Sequence, residues 1–560
     1  MCSCNARRNG DIATRSAAII VASPREAIGH RPSCVAIGKN ALDRVVAPWH
    51  RAGRARPAGA GAGSAPAAAA DRPRTGTMQA TTTWLSDREK SLIADQAIEL
   101  LATVGMRFAG SRLLPLLAAR GADVDEAGGL VHLPRALVEW ALAQCPRAVL
   151  LGGLTEADDV LLDEGRPFHF APSGCLAKTL DHRTGERRAS TLQDLRECTA
   201  LNDELPQLDL MWTQVSAGDV PLAERELVEY FTLLTETSKH VTFVDCPHEV
   251  DTVLSICQAL AGDFERFLER PRVSTVVTAA SPLQVDGRAL DIHVALAARG
   301  VPVHVYSMSV AGATSPVTPA GTVTQGLAEF LGIATALQVA APGARLVFCF
   351  GSGVLDMLRT TFSLGCVESG LMAAMATEVG HYLGVPTLNP GFSTDARYAG
   401  LQAGYEKAMK TAAVCAARPD IVSGWGVIDS HNTMYLPQSV VDNEMAAMVR
   451  RLQAPVEVSG ETLAGEAIAA VGPGGSFLSR KETARRIRAG EHFLPTVSNR
   501  ASYEAWAESG VDELDTAREQ VDALLAAHAR RPPYLDDGLL GELAAICRVD
   551  DEALARARRE

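Results

Sequence analysis

Residues 385–425 read "VPTLNPGFSTDARYAGLQAGYEKAMKTAAVCAARPDIVSGW". The stretch opens on a short apolar run, "VPTLN" (385–389), and closes on another, "DIVSGW" (420–425). Each is too short for a helix and reads as a buried strand. Between them "GLQAGYEKAMKTAAVCAA" spaces its apolar residues as a helix does. Two such strands joined through a helix run parallel. The same unit recurs upstream. Six more runs fit a buried strand: "FHFAP" (168–172), "LDLMWTQVS" (208–216), "HVTFVD" (240–245), "VSTVVTAA" (273–280), "VPVHVYSM" (301–308) and "RLVFCF" (345–350). Helical segments lie between them. The first, "STLQDLRECTALNDEL", carries a capping box at Ser190 and Gln193. The others are "ERELVEYFTLLTETS", "GRALDIHVALAARG", "TQGLAEFLGIATALQV" and "GLMAAMATEVGHYLG". Eight such strands alternating with helices predict an α/β chain built on a (β/α)8 TIM barrel. "LPQSVVDNEMAAMVRRL" supplies the closing helix. A doubly wound open sheet is the competing fold. It opens on a Gly-rich phosphate turn, which does not follow the first strand here.

Outward from the barrel, residues 85–120 read as helical, with Ser86 and Glu89 forming a capping box. "GLVHLP" reads as a strand and "RALVEWALAQC" as a helix, which makes an N-terminal α+β extension. Residues 460–560 read as a C-terminal helical extension. The expected boundaries are 1–77, 78–160, 161–455 and 456–560. The first 77 residues are rich in Ala, Gly, Pro and Arg and poor in acids. They have too little apolar content to offset the entropy of ordering and are expected to be disordered. Met78 stands where ordinary globular composition begins.

The chain of 560 residues carries a net charge of −13, which argues against nucleic-acid and anionic-membrane partners. No uninterrupted run of 18 apolar residues appears. The 12 cysteines are scattered, and Cys2 and Cys4 lack a second pair to complete a zinc site. Reduced thiols and a cytoplasmic location are expected, with no metal bound.

Barrel chemistry sits at the C-terminal ends of the strands. Those positions hold His169, Phe170, Trp212, Gln214, Asp245, Tyr306, Met308, Phe350, Asp356, Phe392, Asp395, Trp425 and Asp429. Aromatic residues make up only 5% of the chain yet recur here. Rings with a few carboxylates suit an organic cation, since each ring face attracts a quaternary ammonium by roughly 0.5–2 kcal/mol. Rings at strand ends also fill the top barrel layer, and Asp245 and Asp429 also suit helix caps. "GPGG" (472–475) reads as a turn before a helix. His293 of "DIHVAL" sits mid-helix and reads as a packing residue.

Several segments resemble the trimethylamine methyltransferase family. "STDARYAGLQAGYEKA" is similar to its T-D-(S/A)-K-x-x-D-x-Q-A-G-Y-E-K-A segment. "YSMSVAGATSPVTPAG" (306–321), "GSGVLDMLRTTFSLGCVESGLM" (351–372), "VVDNEMAAMVRRL" (440–452) and "VGPGGSFL" (471–478) match further elements in order. "TGERRASTLQDL" and "GMRFAGSRLLPLLAARGADVD" extend the likeness toward the N-terminus, to roughly residues 85–530 in all. The resemblance implies a TIM barrel that moves a methyl group from a methylated amine to the Co(I) of a separate corrinoid protein. The chain itself would hold no cofactor tightly. The corrinoid partner would dock at the barrel mouth, and a homo-oligomer is possible. Some members carry pyrrolysine where this chain has or adjoins Ser393. With standard residues there, the chain resembles the branch acting on quaternary amines such as glycine betaine. The alternative is a barrel that binds or cleaves quaternary amines or sulfonium compounds without a corrinoid partner.

On this likeness Asp395, Ser393 and Asp356 are the expected catalytic residues. Phe392, Tyr306, Phe350, Trp425, Trp212, Arg397, Tyr398, Gln402 and Glu406 are expected to bind substrate. The chain departs from the family pattern at Arg397, Gly400, Ser476 and Glu482–Thr483. Arg397 or Arg359 would hold the carboxylate of a betaine.

Overall fold

The computed structural model describes residues 82–244 and 250–559. The expected disordered extension 1–77 and the candidate Asp245 lie outside the described residues. All eight expected strands are present: β1 (His169–Pro172), β2 (Leu210–Trp212), β3 (His240–Phe243), β4 (Val273–Thr278), β5 (Val303–Ser307), β6 (Leu346–Phe350), β7 (Thr387–Pro390) and β8 (Ile421–Trp425). Neighbours pair in parallel from β2 through β8, and β8 returns to β1. The ring closes between β1 and β2, where Asp209 N–H donates to Phe170 O at 2.9 Å and Cys175 N–H to Thr213 O at 2.8 Å. Closure leaves no sheet edge, which is the barrel solution to unpaired backbone groups.

The connecting helices are α1 (Leu192–Glu204), α2 (Leu222–Glu236), α3 (Val250–Ala261), α4 (Gly287–Ala297), α5 (Pro319–Ala340), α6 (Val367–Tyr382), α7 (Leu401–Ala417) and α8 (Leu436–Gln453). The α1 capping box is Thr191 with Asp194, one residue beyond the expected pair. Threonine caps as serine does, and the aspartate carboxylate accepts from the cap N–H as the glutamine would have. Helix α3 and the short helix Phe264–Glu269 follow β3, where the sequence reading placed no helix. Helix α5 is long and apolar enough to cross a membrane. Here it is a core helix, packed against β5 and the N-terminal helices Asp87–Thr103 and Arg135–Gln144.

The expected helical stretch 85–120 is broken. Helix Asp87–Thr103 starts at the Ser86–Glu89 capping box, and then strand Met106–Ala109 intervenes. Gly105, at φ +78°, supplies the left-handed turn between them. That strand pairs with Gln284–Asp286 from the loop after β4. The N-terminal extension therefore forms its own four-stranded sheet with a segment of the loop after β4, and position 160 is no break in packing. A hairpin, Val149–Leu151 with Val160–Leu162, seals the N-terminal end of the barrel. Gly152 N–H donates to Pro271 O just before β4, and Leu154 N–H to Ser238 O just before β3.

Downstream, helices Glu513–Ala529 and Asp537–Cys547 pack on the barrel helices, the first on α1 and α8 and the second on α2 and α3. Residues 471–489 form part of a separate compact unit. Within it Gly472–Gly475 make a turn before helix Lys481–Arg488.

Lys407 of α7 and Asp442 of α8 pair at 2.7 Å with both side chains fully buried. Asp442 also accepts from Gly426 N–H and Gln438 Nε2, which ties both helices to the end of β8. Replacing Lys407 with Met strands a buried carboxylate. Denaturant unfolding is expected to show a loss of about 3–5 kcal/mol, with much of it recovered in Lys407→Met/Asp442→Leu.

Candidate active site

In each strand alternate side chains face the barrel lumen or the helices. Ala171, Leu210, Trp212, Val276, Val347, Cys349, Leu388 and Ile421 cluster in the lumen, with Tyr306 and Val244 against them. Their neighbours one residue away, such as Phe170, Met211 and Val422, pack outward among the helices. This alternation separates the expected aromatic cage into two groups.

Tyr306 and Trp212 enter the lumen. Tyr306 lies against Gly351, where a Cβ would meet its ring at 2.6 Å. Burial raises the Tyr306 phenol above its ordinary range, so it stays protonated. Phe350 is one residue from lumen-facing Cys349 and packs outward against Gly326 of α5. Phe392 and Trp425 also face outward and meet Phe170 in a triangle of rings, with centroids 5.1–5.8 Å apart. Simple alternation after Ser423 would have sent Trp425 into the lumen. A β-bulge at Gly424, φ +103°, adds one residue opposite β1 and turns it out. Gln214 is likewise structural: its amide donates to Trp425 O at 2.7 Å and accepts from Asn202 at 2.6 Å. Phe350, Phe392, Trp425, Phe170 and Gln214 are thus wall residues and not cage residues.

The expected charged residues hold loops together. Asp395 accepts from Leu364 N–H (2.8 Å), Gly365 N–H (3.0 Å), Ser430 Oγ (2.7 Å) and Ser363 Oγ. Burial raises its carboxyl pKa, but these hydrogen bonds outweigh that and leave it below the ordinary value. It joins the loops after β6, β7 and β8, so its oxygens are engaged by protein donors. Glu406 accepts from Thr394 Oγ1 (2.5 Å), Asp395 N–H (2.8 Å) and Gln402 Nε2 (2.8 Å). Asp356 closes the turn of a hairpin, Gly353–Asp356 with Thr361–Ser363, by accepting from Leu358 and Arg359 N–H. Arg359 pairs with Asp356 and Arg397 with Asp429, which also pairs with Arg187. Neither arginine is left to meet a carboxylate in the lumen. Tyr398 and Met308 stand on the rim, 69% and 44% exposed. His169 begins β1 at the sealed end, beside Asp209.

Ser393 is fully buried at the mouth. Its Oγ lies 3.0 Å from His431 Nε2, and His431 Nδ1 lies 2.9 Å from Ser173 Oγ. Burial, with Lys410 and Lys407 adding repulsion, lowers His431 to about 3, so the imidazole is neutral. One ring nitrogen donates, the other accepts, and each hydroxyl rotates to match. Lys410 sits below this seam, lowered by burial to about 7 and donating to Leu364 O and Ser369 Oγ.

Sequence reasoning missed His431, Lys410 and the lumen residues His304 and Cys349. His304 was within reach, because it lies two residues before Tyr306 and shares its face. Among the described residues, Asp203, Glu204 and His528 approach one another with metal-like spacing. They lie away from the mouth, and Arg531 and His528 occupy the Glu204 oxygens.

Asp395→Asn keeps the shape and removes the charge. Stability is expected to fall by about 1–3 kcal/mol at neutral pH. The Asp395 contribution is complete above the unfolded carboxyl range, roughly pH 4, and is lost as pH falls through the lower folded value. Unfolding measured from pH 7 to 3 should therefore show a shallower acid slope in the variant.

The family model described as trimethylamine methyltransferase matches residues 51–552. The trimethylamine methyltransferase MttB of Desulfitobacterium hafniense is 27% identical over 474 residues, covering 84% of this chain and 95% of that protein. The glycine betaine methyltransferase of the same species is 26% identical over 465 residues, covering 82% and 96%. The crystal structure of the Methanosarcina barkeri monomethylamine methyltransferase MtmB aligns at 13% identity and a TM-score of 0.41, covering 78% of this chain and 94% of that one. With the family model matching most of its length, the chain belongs to the trimethylamine methyltransferase family.

Proposed function

We propose that the protein transfers a methyl group from a quaternary amine to the Co(I) of a corrinoid carried by a partner protein. The observation that carries this reading is a methyltransferase-family barrel whose lumen side chains include Trp212 and Tyr306. Aromatic faces stabilise a methylated ammonium without donating a hydrogen bond, which such a cation cannot accept. The C–N bond breaks with its electron pair left on nitrogen, so a neutral tertiary amine departs and no proton moves. A Co(I) corrinoid supplies the nucleophile. The chain's residues hold the cation, exclude water and present one methyl toward the mouth.

The rim supports a macromolecular donor of that nucleophile. Val317 after β5 and Met357 and Leu358 at the hairpin tip after β6 are 72%, 61% and 91% exposed. Val317 and Met357 flank Gly312, with side-chain atoms 3.8 and 3.0 Å from the place of its missing Cβ. An apolar cluster beside the mouth fits a partner that covers the opening during transfer.

The test incubates the purified protein with Co(I) cobalamin and a panel of methylated amines and sulfonium compounds, following methylation of the cobalamin by its absorbance. Transfer from at least one quaternary amine is expected. Binding by calorimetry without transfer from any compound would favour a barrel that acts without a corrinoid. Tyr306→Ala is expected to raise KM about 10-fold, the loss of one cation–π contact of roughly 1–2 kcal/mol.

A further inference from the structure

Three consecutive residues in the loop after β8 bear side chains and yet sit in the left-handed region: Asp429 (φ +59°), Ser430 (φ +51°) and His431 (φ +63°). L-residues visit that region singly and at a cost, because Cβ crowds the following carbonyl. A run of three without a glycine persists only where the surroundings over-determine it, and such strain gathers at clamps and switches. The run forms the tip of a hairpin, Val427–Ile428 with Thr433–Met434. The base of this hairpin is firm. Gly426 N–H donates to the buried Asp442 carboxylate at 2.8 Å, and Tyr435 N–H donates to Gly426 O at 3.0 Å. Thr433–Met434 also pairs with strand Lys178–Leu180.

The tip is held by bonds to other loops. Asp429 N–H donates to Ala396 O at 2.8 Å and Ser430 N–H to Thr394 O at 2.9 Å. Ser430 Oγ donates to Asp395 at 2.7 Å. The Asp429 carboxylate pairs with Arg187 at 2.7 Å and with Arg397, whose side chains are 46% and 60% exposed. Ion pairs at that exposure are weak, so this fastening is a light one. The His431 ring lies between Ser393 Oγ and Ser173 Oγ, at 3.0 and 2.9 Å. Strand β8 stands between β7 and β1, so the ring crosses the mouth end of β8 from the loop after β7 to the residue after β1. Ser173 has the phase of lumen-facing Ala171, which places this crossing on the lumen side.

We propose that residues 429–432 are a strap that opens and shuts one side of the barrel mouth to pass the methylated cation, with the left-handed run as its spring and the two Asp429 ion pairs as its latch. The cargo rests on the quaternary-amine reading above, whereas the strap rests on the backbone and its bonds. Strain raises the shut state toward the open one, so leaving it costs less than breaking the same bonds on a relaxed turn would. Opening exchanges the His431, Ser430 and Asp429 contacts for water and leaves the bonds of Gly426 and Tyr435 at the base in place. The moving part is therefore short, and the wall of the barrel behind it does not move with it.

Hydrogen exchange read by mass spectrometry compares the peptides 427–434 and 436–453 in the full chain, as wild type and as Arg187→Ala/Arg397→Ala, with thermal melts reporting folding. In wild type the strap peptide is expected to exchange about 10-fold faster than the α8 peptide, by local opening. Loss of the latch should speed the strap about 5-fold more, the worth of two surface pairs, and leave α8 unchanged. Strap and helix exchanging in step in both proteins would mean a rigid turn and would overturn the proposal. If the double variant fails to fold, Arg397→Ala and the wild-type ratio decide. Stopped-flow tryptophan fluorescence with tetramethylammonium then tests the gate. Association and dissociation should both rise about 5-fold in the variant with Kd unchanged, since a gate alters the path and not the end states. A changed Kd at an unchanged association rate would overturn the gating role. If neither tetramethylammonium nor glycine betaine binds wild type, the quaternary-amine reading falls instead, and the exchange ratio alone decides the strap.

Discussion

Closure of the parallel barrel gives every strand side chain one of two destinations. A side chain either enters a lumen of fixed width or packs beneath the helices, and a shift of one residue exchanges them. The chemistry of this protein depends on that constraint more than on the composition of its strand ends. Tyr306 and Ser307 are adjacent. The first enters the lumen, while the second turns outward and donates to the buried carboxylate of Glu329 on α5 at 2.6 Å. Cys349 and Phe350 divide in the same way. A break in the alternation, the bulge at Gly424, sends Trp425 outward and keeps its ring out of the lumen.

Charges around the mouth follow a common design. Asp395, Glu329 and Asp442 are each surrounded by donors from two or more elements. A carboxylate in that state is a fastener. It has little capacity left to receive a substrate cation, and removing one donor costs more than a surface pair would return. The row Phe392, Asp395, Arg397 and Tyr398 faces four different directions: the aromatic wall, the loop junction, Asp429 and solvent.

Much of the fold was legible because each barrel strand is a short apolar run and each helix has its own period. All eight strands were readable, including β7 and β8 in the stretch 385–425. Helix α3 is less legible, since "VDTVLSICQALA" is short and lies between two stronger strand signals. The candidate site was less legible. Position at a strand end does not say which face a residue occupies, and a bulge reverses the answer locally. Trp212 and Tyr306 were found by type, while Phe350, Phe392 and Trp425 share that type and differ only in phase. His304 and Cys349 lie deeper than the strand ends, although the period of two reaches His304 from Tyr306.

The protonation states within the lumen bear on the reaction itself. His304 and His240 are held neutral by burial, lowered to about 3 and about 4, and Tyr306 and Cys349 are held protonated. None of these groups is tuned to exchange a proton near neutral pH, as a general acid or base would be. Methyl transfer from a quaternary ammonium does not ask for one, because the amine leaves neutral. As the methyl departs, the positive charge on nitrogen disappears, and an environment that solvates that charge poorly resists the change least. A lumen of aromatic and aliphatic side chains with neutral polar groups meets this requirement. A carboxylate facing the nitrogen would bind the ground state more strongly than the transition state. Asp395 stays ionised, and its four protein donors turn its oxygens toward the loops after β6, β7 and β8.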